Sequence, residues 1–84
     1  MSLTTELLEE LDLLNLFDLN SQQGGIKVHD SAGEKKVDAA KRLFEKGITT
    51  LPDGGYLTDR GIETAEQAQL LVKMLLADEN QPSD

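Results

Sequence analysis

Five basic residues, Lys35, Lys36, Lys41, Arg42 and Lys46, lie within twelve consecutive positions. Cations gathered along one helix are what phosphate contact requires, so a nucleic-acid backbone is the first chemistry this run suggests. The same residues have a plainer use. Asp38 and Arg42 are four apart, as are Lys41 and Glu45, the spacing at which helix neighbours pair and cancel charge. A second cluster, Glu6, Glu9, Glu10 and Asp12, lacks the alternating Asp/Asn and the glycine of a calcium loop and reads as a solubilising face. His29 adjoins Asp30. A catalytic dyad would also need a nucleophile and an oxyanion site, and a metal centre three or four ligands. With one histidine and no cysteine, neither is assembled, so no catalytic residue, metal ligand or cofactor is assigned and an enzyme is not expected. Gly24-Gly25 and Gly54-Gly55 lack the glycine spacing and the following Lys-Ser/Thr of a phosphate loop. Tyr56 could stack on a base, but one aromatic on a strand is more often core, and Tyr56 is expected there.

The charge balance narrows these readings. Residues 1–24 carry five acids and no base (−5), residues 25–47 six bases and four acids (+2), and residues 48–84 two bases and seven acids (−5), for a net charge of −8. Such a chain is repelled by phosphate backbones and anionic membranes, which disfavours DNA as a partner. The sole basic region is the middle of the chain. Eighty-four residues make one domain, which buries only about 60% of its unfolded surface. No basic segment followed by an apolar run opens the sequence, so no signal peptide is expected, and no apolar stretch approaches the ~20 residues of a membrane span. A cytoplasmic location is expected.

Helical spacing of Leu3, Leu7, Leu11 and Leu14 predicts a helix over 4–18, with Thr4 as N-cap and Leu3 and Leu8 as a hydrophobic staple. Leu13, Leu16, Phe17 and Leu19 widen its apolar arc beyond what one packed face needs. Ile26-Lys27-Val28 alternates as a short strand. Ser31-Ala32-Gly33-Glu34 matches a capping box and predicts a helix over 32–46 with Val37, Ala40, Leu43 and Phe44 inward. Gly47 ends that helix, with Ile48 placed for a Schellman contact to Leu43. Ile48 to Leu51 and Tyr56 to Thr58 then form a hairpin about the Pro52-Asp53-Gly54-Gly55 turn. Thr58 caps a last helix lined by Ile62, Ala65, Ala68, Leu71, Val72, Leu75 and Leu76.

Two resemblances follow from these residues. Leu43 to Ile48, Asp53 to Tyr56 and Leu57-Thr58-Asp59-Arg60-Gly61 are similar, over residues 40–70, to the wing region of MarR- and PadR-type winged-helix proteins. That implies an α+β, mostly helical fold of order α-(β)-α-β-β-α. The helix-turn-helix is reduced, since one helix alone fits between Asn20 and the wing. The whole chain resembles a small bacterial family of about eighty residues with no established function. The shared features are an acidic Leu-rich first helix, Gly25-Ile26-Lys27-Val28-His29 and the Pro52 to Asp59 block.

The expectation is therefore a single winged-helix-like domain over residues 1–77 followed by a disordered acidic tail over 78–84. Leu7, Leu11, Leu14, Leu71 and Leu75 are expected to form a dimer or partner surface, making the chain a homodimeric interaction module for a protein partner. The alternative is a DNA-binding regulator that uses helix 32–46, through its five basic residues, and the 48–58 wing.

Overall fold

The computed structural model describes residues 3–21 and 24–80, with side chains described as far as Ala77. Three helices and a three-stranded sheet follow in the order α1 (Thr5–Leu14), β1 (Ile26–Lys27), a 3₁₀ turn (Asp30–Ala32), α2 (Glu34–Glu45), β2 (Thr49–Leu51), β3 (Gly54–Leu57) and α3 (Asp59–Asn80). The fold is a small, mostly helical α+β arrangement. The sheet is antiparallel with order β1-β3-β2. Ile26 pairs with Gly55 and Lys27 with Gly54 on one side of β3, while Thr49 pairs with Leu57 and Leu51 with Gly54 on the other. The register shifts by one residue between those last two pairs, a bulge at the double glycine.

Each helix starts and stops for a local reason. Thr4 caps α1, its Oγ1 accepting from the Leu7 amide at 3.1 Å. The helix ends at Leu14, four residues short of the expected 18. Past Asn15 the chain turns to bury Phe17, 3% exposed, and Asp18 accepts from the Asn20 amide at 2.9 Å. The carbonyls freed by this early stop are met from a distance: Gln69 Nε2, on α3, donates to the Leu14 and Phe17 oxygens at 3.0 and 2.8 Å. A buried helix end needs such partners.

The capping box expected at Ser31 does not form. The Ala32 and Gly33 amides bond back to the carbonyls of His29 and Asp30, so Ser31 lies inside a 3₁₀ turn and not in the extended conformation of an N-cap residue. Gly33 occupies the N-cap position instead, with no side-chain cap. At the other end the Schellman motif is complete. The Ile48 amide reaches the Leu43 carbonyl and the Gly47 amide that of Phe44, both at 3.0 Å. Gly47 has φ +77°, where a side chain would be strained.

The core is formed by Leu13 and Leu14 of α1, Ala39, Ala40 and Leu43 of α2, Ile48, and Ala65 and Ala68 of α3. Ala39, fully buried, rotates the inner face of α2 away from the expected Val37–Phe44 side, and Phe44 is 41% exposed. α3 runs to Asn80, three residues into the stretch expected as a tail; residues 81–84 lie outside the described ones.

Thr58 joins the end of α2 to the start of α3. Its Oγ1 donates to the Gly47 carbonyl at 2.6 Å and accepts from the Gly61 amide at 3.0 Å. Its own amide bonds the Ile48 carbonyl at 3.0 Å. α3 approaches so closely here that a Cβ on Gly61 would lie 1.9 Å from the Ile48 oxygen. Helix propensity alone favours Gly61→Ala by about 1 kcal/mol. The clash with a backbone oxygen instead predicts a loss of about 2–3 kcal/mol, measured as a lower urea midpoint at unchanged slope.

Candidate functional site

Three of the five candidate phosphate-binding cations point at α1. Lys36 Nζ bonds Glu9 and, at 3.0 Å, Asp12. Arg42 Nε donates to Glu10 Oε2 at 2.9 Å, and its Nη2 donates to the Glu6 carbonyl at 3.2 Å. Lys46 Nζ donates to the other Glu10 oxygen at 2.5 Å. The acids of α1 and the bases of α2 thus form a seam between the two helices. The pairs expected inside α2, Asp38–Arg42 and Lys41–Glu45, do not form: among the described residues the ion pairs run between helices. Inward-facing Ala39 and Leu43 bring α1 over this face, and the longer reach to a desolvated carboxylate wins over an exposed neighbour on the same helix.

Glu10 is the centre of the seam. It is 5% exposed and holds two cations with its two oxygens. Burial by itself pushes its pKa up. The hydrogen bonds from Lys46 and Arg42, with the attraction of both positive charges, outweigh burial and hold the carboxyl below its ordinary value. Hydrogen bonds to Glu9 and Asp12 raise the Lys36 pKa against a smaller opposing effect of burial. Lys35 and Lys41 remain exposed, with no ion pair among the described residues.

His29 and Asp30 border an open cleft of about 620 Å³ with Lys27, Lys41 and Asp53, over a floor that includes Val28 and Val37. Both residues are exposed. Among the described residues no three His, Cys, Asp or Glu side chains gather as metal ligands would. Tyr56 is 51% exposed on β3 rather than part of the core.

The expected leucine surface divides in two. Leu14 is 4% exposed and belongs to the core, which corrects its assignment to a partner surface. Leu7 and Leu11 are half-buried, and Leu11 packs on that core. Leu71 and Leu75, in contrast, are 54% and 62% exposed. Leu70, Met74 and Leu76 stand out beside them; the sequence reading placed Leu76 on the lining of the helix and left out Leu70 and Met74. The signal for them was present: a helix of this length has more apolar positions past Ala68 than α1 is long enough to meet. No helix is long and apolar enough to cross a membrane among the described residues.

The seam makes a stability prediction. Glu10→Gln leaves Arg42 and Lys46 without their shared anion and should cost about 1–2 kcal/mol at pH 7, the partners being partly hydrated. The folded-state pKa of Glu10 lies below the ordinary 4.5. Its contribution is therefore full above that value and is lost as pH falls through the folded pKa. Urea titrations of wild type and Glu10→Gln should differ at neutral pH and converge in acid.

The comparisons add a family. No curated protein and no solved structure matches the sequence significantly. Residues 1–76, and so nearly all of the helices, strands and seam described above, match the family of unknown function DUF5669, to which the chain belongs.

Proposed function

We propose that this is a small interaction module that binds protein through the apolar second half of α3. The observation that carries the reading is the exposure of Leu70, Leu71, Met74, Leu75 and Leu76 on two successive turns. Single exposed leucines are ordinary, but a contiguous apolar patch marks an interaction site. The seam supports the same reading from the other side, since Lys36, Arg42 and Lys46 are engaged with α1 carboxylates and are not free for phosphate.

The finer architecture we propose is a winged helix in which the 3₁₀ turn at Asp30–Ala32 stands where a second helix would. The strand between helices and the sheet order β1-β3-β2 support it. This arrangement also favours the competing reading, a DNA-binding regulator. Lys35 and Lys41 are exposed on α2 and without an ion pair among the described residues, but the hairpin tip carries Asp53 and the net charge is −8.

Two measurements separate the readings. A photo-crosslinking residue at position 71, in the cell of origin, should yield a discrete protein adduct, and the same residue at position 41 should not. No adduct at 71 would overturn the module. Duplex DNA added at low salt should leave the Lys35, Lys41 and Arg42 amide signals in place. Saturable, salt-sensitive shifts there would establish the DNA reading instead.

A further inference from the structure

The partner of the α3 surface is chosen by what can cover it. α3 spans 22 residues, about 33 Å at 1.5 Å per residue. Its first half is held by the body: Gly61 lies against Ile48, Ala65 and Ala68 are in the core, and Gln69 reaches the end of α1. Beyond Gln69 the helix continues with Leu70, Leu71, Met74, Leu75 and Leu76 at 47–62% exposure. Leu70 and Met74 lie on the side turned away from Ala65 and Ala68, Leu71 and Leu75 flank them toward the line of Ala68, and Lys73 is the one charge between positions 70 and 77.

The area is informative. Leu70, Leu71, Met74 and Leu75, each more than half exposed, present on the order of 400 Å² of apolar surface on one side of the helix. A standard-size interface buries about 800 Å² on each partner, of which about 65% is apolar in homodimers. The patch therefore supplies most of the apolar part of one side of a standard homodimer interface.

We infer that the surface is covered by a second copy of this chain, α3 packing on α3 about a twofold axis. This rests on the interaction-module reading and names its partner. The shape fits such a partner. Two turns of helix that are apolar over much of their circumference form a convex rod, and a rod is covered best by a second rod packed ridges into grooves. A twofold axis makes one patch serve both sides, so a single run of leucines suffices. The long-range repulsion between two acidic copies is screened at physiological salt over about 8 Å. Of the acids on α3, Asp59, Glu63 and Glu66 precede the patch by a turn or more, and Asp78 and Glu79 follow it.

The test uses the purified full-length chain. Sedimentation equilibrium from low to high micromolar should give a mass rising to twice the 9.2 kDa of one chain. The double variant Leu71→Glu/Leu75→Glu should keep its helical circular dichroism and raise the dissociation constant at least about a hundredfold. Leu16→Glu, exposed on a different part of the surface, should leave it unchanged. Should the double variant fail to fold, a wild-type sample mixing labelled and unlabelled chains should give intermolecular NOEs among the Leu71, Met74 and Leu75 methyls. A mass of one chain at high micromolar overturns the inference, as does a dimer without those NOEs. An in-cell adduct at position 71 with a protein of another mass would also overturn it while leaving the interaction module standing.

Discussion

Glu10 is a carboxylate with almost no access to water, set between an arginine and a lysine of another helix. An unpaired charge there would be costly, so α1 and α2 must keep their register. Glu9 and Asp12, on either side of it in sequence, hold Lys36 in the same manner. The middle helix therefore spends most of its positive charge inside the molecule. What the surface sees is a largely acidic body with Lys35 and Lys41 as the free cations of α2.

A second constraint sets the direction of α3. The Gly47 and Ile48 carbonyls, released by the Schellman turn, are both taken up by Thr58, whose hydroxyl also caps α3. Gly61 then lies against the Ile48 carbonyl with no space for a side chain. The helix is thereby anchored at its start and crosses the end of α1 near Gln69. Its remaining turns have no further element of the body to pack on. The apolar surface proposed for binding is a consequence of where the hairpin launches the helix.

Local features were readable because their causes lie a few residues apart. Thr4 and Thr58 cap through hydrogen bonds three residues away, and Gly47 stops a helix through bonds three and five residues back. The short strand at Ile26 and the hairpin were equally legible. The capping box at Ser31 was misread because a 3₁₀ turn takes Ser31 into its own helical backbone, which leaves Gly33 at the N-cap position. The end of α1 was overextended because its true stop depends on Gln69, more than fifty positions away.

The chain's order of elements, its helix caps, its glycine stop and its charge blocks were determined by the sequence alone, since each rests on the chemistry of adjacent residues. Tertiary structure alone decided which cations are free and which leucines are exposed. Arg42 has Asp38 four residues away yet bonds Glu10, because burial strengthens the longer-range pair. Leu14 and Leu71 have the same side chain, but α1 is enclosed by two helices and the end of α3 by none. Exposure is a property of neighbours brought from elsewhere in the chain, and spacing along one helix does not contain it.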